Sequence, residues 1–194
     1  MSVMRAPEIP EIWADPDRVL TVADMEDMPD DEFRYELDEG MLIVSPARSL
    51  PHQIAITQLA FVLKTACPPG LLVVAGPGVN INKFQHRVPD LVVIRRESVT
   101  PMFLTEPPLL AVKVASLRTR VYDWGRKRDV YERFGIRSYW IVDLGQDKPS
   151  LTVLELRRGR YTEAARVVGD DAFSAVCPFP VTIVPADLLD AEPS

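Results

Sequence analysis

Apolar positions change their period several times along the chain, and each change marks an element. FRYELDEGMLIVSP (33–46) is two short runs separated by Asp38, Glu39 and Gly40, which predicts a β-hairpin. Over 50–66 the apolar residues Ile54, Leu59, Val62, Leu63 and Ala66 recur at helical spacing, and Pro68-Pro69-Gly70 stops the helix. LLVVAG (71–76) predicts a strand, followed by a Gly-Pro-Gly turn and a second extended stretch, VNINKF. PDLVVI (89–94) predicts a strand opened by Pro89, a position where proline is tolerated. A loop with three prolines covers 97–108, and LLAVKVAS (109–116) then runs almost continuously apolar, as a central strand covered on both faces does. A helix over 121–134, a buried strand SYWIVDL (138–144) and a hairpin turning near Arg158-Gly159 follow. Residues 181–190 predict a short strand and a last helical turn, and Thr21 is placed to N-cap a short acidic helix ending at Pro29. This order predicts an α/β chain of mixed α+β type, with helices packed on a mixed sheet.

Composition narrows the picture without deciding it. The 194 residues suit one domain over 19–194, preceded by an extended acidic, proline-rich arm over 1–18. No apolar run approaches the roughly 20 residues that span a bilayer. The first eleven residues hold one base, two prolines and no apolar core, unlike a secretory signal. Cys67 and Cys177 lie far apart with no metal-ligand spacing, and a reducing cytoplasm is the simplest expectation. The net charge of −6 argues against nucleic acid as a partner until its distribution is considered. Residues 1–40 hold thirteen acids and three bases, whereas 118–137 hold seven bases against three acids. Arg118, Arg120, Arg126 and Arg128 in that segment make either a nucleic-acid-binding patch or a solvated helix face.

Four residues resist a bland reading. Lys113 sits inside LLAVKVAS, on the strand face of Leu109, Ala111 and Ala115, where an ammonium must be paired or lose its proton. The alternative is an edge strand that turns Lys113 to water. Lys127 shares a helix stripe with Trp124, Tyr131 and Phe134, where a lysine either snorkels to the rim or serves a site. Asp90 opens an apolar strand and Glu36 closes another; each is alternatively a turn or surface carboxylate. Together they suggest phosphodiester chemistry, which uses acidic ligands on rigid strands, a hard divalent ion such as Mg²⁺ or Mn²⁺, and a cation near the nucleophile. His52 and His86 are too few for a histidine-rich zinc site, and GPGVN (76–80) matches neither a P-loop nor a dinucleotide fingerprint.

Five segments in order, RYELDEGMLIVSP, PHQ, VPDLVVI, LLAVKVAS and RKRDVYERFGIRSYWIVD, resemble the Uma-two family of restriction endonucleases, within the PD-(D/E)xK superfamily. The resemblance covers roughly residues 20–190. It implies a restriction-endonuclease-like mixed sheet flanked by helices, a Mg²⁺ or Mn²⁺ cofactor held by Asp90 and Glu36, and Lys127 as the catalytic lysine carried on a helix. It also matches Tyr131 and His52 to residues around the site. The departure is Lys113, where the family pattern Val-Glu-Val reads Val112-Lys113-Val114. A dication and an ammonium about 4 Å apart repel by several kcal/mol even at an effective dielectric of about 20. The expectation is an impaired metal-dependent DNA endonuclease, with a catalytically silent nucleic-acid-binding or regulatory protein as the alternative. A homodimer is expected only because cutting a duplex takes two sites.

Overall fold

Alternation and turn chemistry build the first hairpin as the sequence predicts. In this computed structural model, which describes residues 18–29, 31, 33–46, 48–115, 125–145 and 148–189, β1 (Arg34–Asp38) pairs antiparallel with β2 (Met41–Ser45). Glu39 and Gly40 both take positive φ, the twist that a two-residue hairpin turn requires. The arm over 1–18 lies, apart from Arg18, outside the described residues.

The first helix, α1, runs over Leu50–Ala66, the range its periodicity predicts. β3 (Leu71–Ala75) follows. VNINKF differs from expectation: it folds back as β4 (Val79–Asn82) into β5 (Gln85–Arg87), because Asn82 accepts the Phe84 N–H and closes a turn inside the run. β6 (Leu91–Arg95) and β7 (Leu110–Ala115) come next, and α2 (Arg126–Phe134) leads into β8 (Ser138–Asp143). The predicted start of that helix, with Trp124, lies outside the described residues. Gly135 ends α2 in the left-handed conformation, with its N–H on the Tyr131 and Glu132 carbonyls. β9 (Ser150–Arg157) and β10 (Arg160–Val168) form the long hairpin, turning at Arg158-Gly159. β11 (Phe173–Ala175), which carries too short an apolar pattern to announce itself, pairs with β12 (Val181–Ile183), and the last turn is 3₁₀ over Ala186–Leu188.

The acidic helix capped by Thr21 is not formed. Asp24–Asp27 make one 3₁₀ turn, and the polarity of the cap is reversed: the Asp24 carboxylate accepts the Thr21 N–H and hydroxyl, both at 2.8 Å.

The strands form a six-stranded sheet in the order β10-β9-β8-β7-β6-β3, a four-stranded sheet β2-β1-β5-β4 and the β11-β12 pair. β7 and β8 are the parallel neighbours of the large sheet, joined by the crossover that contains α2. β7 is therefore central, and the edge-strand alternative for Lys113 fails. One face of β7 (Leu110, Val112, Val114) packs with Leu59 and Leu63 of α1 and with Trp140. The other face (Ala111, Ala115) packs with Val130 and Tyr131 of α2 and with Tyr139. Lys113 points to that second face, which is why it and α2 meet. Among the described residues no helix is long and apolar enough to cross a membrane.

Candidate functional site

The site forms where the two main sheets are joined by Val88-Pro89-Asp90, between β5 and β6. Pairing between β6 and β7 stops at Leu91 opposite Val112. From there Asp90 continues the ladder: its backbone N–H donates to the Val112 carbonyl at 2.9 Å, and its side-chain Oδ2 accepts the Val114 N–H at 2.8 Å. Glu36 does the same on the other side, its Oε1 accepting the Val88 N–H at 2.8 Å. Two carboxylates thus close both ends of one short connection. Each satisfies a backbone donor that would otherwise be buried without a partner.

Four charged groups are buried there together: Lys113 is 1% exposed, Asp90 2%, Lys127 3% and Glu36 6%. Lys113 Nζ lies 3.1 Å from Asp90 Oδ2 and 3.2 Å from Oδ1. Lys127 Nζ lies 2.8 Å from Glu36 Oε2 and 3.1 Å from Oε1. Arg34 donates to Asp90 Oδ1 at 2.7 Å and to the Val88 carbonyl at 2.9 Å. Arg48 approaches Asp90 to 3.5 Å, and His52 Nε2 sits 3.5 Å from Asp90 Oδ2 and 3.1 Å from the Val114 carbonyl.

The electrostatics follow from this crowding. Burial pushes the Asp90 carboxyl up, but Lys113, the His52 hydrogen bond, Arg34 and Arg48 outweigh it and hold Asp90 well below its ordinary range. Burial likewise opposes ionisation of Glu36, and Lys127 and then Lys113 bring it down to about 2. For Lys113, burial is the largest influence; Asp90 opposes it, while Lys127, Arg48 and Arg34 add to it, and the ammonium falls to about 8. The cluster thus gathers two carboxylates, Glu36 and Asp90, and four basic side chains, Arg34, Arg48, Lys113 and Lys127.

This donor set does not suit a divalent metal. Mg²⁺ is held by one or two protein carboxylates, with water and phosphate oxygens completing its octahedron; Asp90 and Glu36 are the two carboxylates here, and among the described residues no three His, Cys, Asp or Glu side chains converge. The acids that are present already face ammonium and guanidinium groups. Lys113 occupies the Asp90 side of the cluster with a fixed positive charge.

The structure brings Glu36, Asp90, Lys113, Lys127 and His52 together, as the sequence suggests. Tyr131 packs edge-on against Tyr139, at 5.1 Å between ring centroids, on the same face as Lys113. Arg126 and Arg128 are engaged within the fold: Arg126 pairs with Asp38 and Glu39 of the first hairpin, and Arg128 donates to the Tyr161 carbonyl at 3.2 Å. Arg118 and Arg120 lie outside the described residues. Arg34 and Arg48 carry no periodicity signal and were not legible as site residues; only their position beside the hairpin ends points to them. A second buried group, Asp38 with Arg87 at 2.6 Å, ties β1 to β5.

The fold resembles that of a crystal structure described as a "putative nuclease" from Anabaena variabilis, with 16% sequence identity and a TM-score of 0.68, covering 88% of this chain and 97% of that one. No curated protein is significantly similar to the chain. The sequence model of the Uma2 family, described as "Putative restriction endonuclease", matches residues 22–186. The chain therefore belongs to the Uma2 family.

Proposed function

We propose that this chain is a nucleic-acid-binding protein on a nuclease fold, in which Lys113 supplies the positive charge that a catalytic metal otherwise brings. The observation that carries this reading is the contact of Lys113 Nζ with Asp90 Oδ2 at 3.1 Å, deep in the central strand. A carboxylate neutralised by an internal ammonium and two guanidinium groups attracts a dication weakly, and Glu36 is similarly committed to Lys127. The family description supports a phosphodiester substrate, and we take duplex DNA as the partner. In this reading the surplus cations hold the phosphate backbone and no hydrolysis follows. Without a metal neither carboxylate activates water well, because Asp90 and Glu36 are held ionised by their neighbours and are weak bases.

The second reading is the metal-dependent endonuclease itself. Two buried carboxylates and a buried Lys127 support it, with Asp90 and Glu36 as ligands and Lys127 beside the reacting phosphate. It requires Lys113 to withdraw from Asp90, yet the strand on which Lys113 sits is paired on both sides.

Plasmid nicking in Mg²⁺ or Mn²⁺ separates the two, comparing the chain with its Lys113→Glu variant. The binding-only reading expects salt-sensitive DNA retention without cutting by the parent, and metal-dependent nicking by the variant. Cutting by the parent that requires added metal, is abolished by a chelator and copurifies with the chain would overturn it in favour of the enzyme.

A further inference from the structure

Beside Asp90 a cleft of about 380 Å³ opens between β1, α1 and the β3–β4 turn, lined by Arg34, Arg48, Gln53, Ile56, Gly76 and Asp90. That is within the size range of small-ligand sites. The nuclease fold and the Lys113–Asp90 pair do not by themselves call for two arginines here. Among the described residues their charge is in excess: with Lys127 balancing Glu36 and Lys113 balancing Asp90, Arg34 and Arg48 leave the cluster at a net +2.

One donor at this cleft is unspent. Arg48 Nε is buried and makes no hydrogen bond, and the Arg48 contact with Asp90 is long, at 3.5 Å. His52 and Gln53 stand in the first turn of α1, a 17-residue helix whose Ser49 N-cap provides no side-chain hydrogen bond. The positive end of that helix dipole therefore borders the cleft. Ile56 and Ala75 give one wall an apolar surface, suited to a sugar or base edge.

We propose that this cleft binds a terminal phosphomonoester, the phosphorylated end of a nucleic-acid strand, through Arg34 and Arg48. The proposal rests on the nucleic-acid-binding reading and narrows it. An internal phosphodiester carries one negative charge, whereas a terminal phosphate carries about −1.5 to −2 at neutral pH and has three acceptor oxygens. The terminal group thus matches the surplus of two cations and the unspent Arg48 Nε donor, and guanidinium forks are suited to its paired oxygens. A free phosphate or small phosphomonoester has the same headgroup chemistry, and the experiment separates the two sources.

Fluorescence anisotropy on one labelled oligonucleotide sequence, prepared with hydroxyl ends, a 5′-phosphate or a 3′-phosphate, is the test. One phosphorylated form should bind at least about tenfold more tightly than the hydroxyl form, as charge-assisted hydrogen bonds suggest. Arg48→Gln should erase that preference while keeping residual binding, and Arg48→Lys should keep part of it; thermal melting checks that both variants fold. Equal affinity for all three oligonucleotides would overturn the proposal and leave the DNA-binding reading standing. No binding of any oligonucleotide at low salt would defeat that reading itself. Saturable stabilisation by inorganic phosphate without discrimination between the oligonucleotides would assign the cleft to a small phosphate compound and overturn the nucleic-acid end.

Discussion

Asp90 and Lys113 are joined twice. The carboxylate takes the lysine ammonium at 3.1 Å, and the same oxygen takes the N–H of the next residue, Val114, at 2.8 Å. Charge pairing and backbone pairing are therefore carried by one side chain, and the two can be separated by mutation. Asp90→Asn keeps an acceptor for Val114 but strands the ammonium. Removing one partner of a buried pair costs roughly 3–5 kcal/mol. Asp90→Ala also orphans the Val114 N–H, for about 1–3 kcal/mol more. Urea unfolding should rank parent, Asn and Ala in that order; equal stability of the two variants would show that the backbone contact contributes nothing.

Lys113 gives a pH signature of the same sign as the acids, but displaced to alkaline pH. Its folded pKa, about 8, lies below the ordinary 10.5, so the unfolded chain binds its proton more tightly. Below pH 8 the lysine carries its full burial penalty, and the penalty fades as pH rises towards 10.5. Relative to Lys113→Met, the parent should gain unfolding free energy across that window. A constant difference between the two proteins from pH 7 to 10 would show that the ammonium is not strained by burial.

Arg126 distinguishes a structural cation from a DNA-binding one. It is tied to Asp38 and Glu39 across the hairpin turn. Arg126→Gln should lower the melting temperature and leave the salt dependence of DNA retention unchanged. A slope shallower by about one unit would instead assign it a phosphate contact.

The first hairpin depends on Gly40. Its φ is +81°, and a Cβ there would lie 2.4 Å from Val19 Cγ1 and 3.1 Å from the Leu20 carbonyl. At Gly70, also at positive φ, a Cβ meets nothing within 4 Å. Gly70→Ala should cost about 1 kcal/mol from backbone strain, and Gly40→Ala clearly more. Comparable melting temperatures would mean that the Val19 segment yields freely.

Most of the fold was legible because its long elements are strongly periodic. The span of α1 and the Arg158-Gly159 hairpin needed only spacing and turn residues. VNINKF misled because a turn held by one asparagine side chain leaves no break in the apolar pattern. Thr21 misled because a threonine can donate to an aspartate as readily as it can cap, and sequence does not give the direction. In the site, Lys113 and Lys127 stood out because an ammonium on an apolar stripe needs a reason. Arg34 and Arg48 stood out less, since a surface arginine needs none. Their role depends on a fold that brings residue 34 beside residue 90.

The parallel pairing of β7 with β8 has a consequence for how the chain folds. Parallel neighbours cannot be joined by a tight turn, so β8 reaches β7 only through the long connection that carries α2. The contacts that define the cluster are also distant in sequence: Arg34 to Asp90 spans 56 residues and Lys127 to Glu36 spans 91. Closing such loops is slow compared with forming α1 or the β9–β10 hairpin. The charged cluster therefore assembles late, and its lysines remain hydrated until the sheet is nearly complete. The energetic penalty of burying them then falls mainly on the unfolding rate, so that relieving it, as Lys113→Met does, slows unfolding more than it speeds folding.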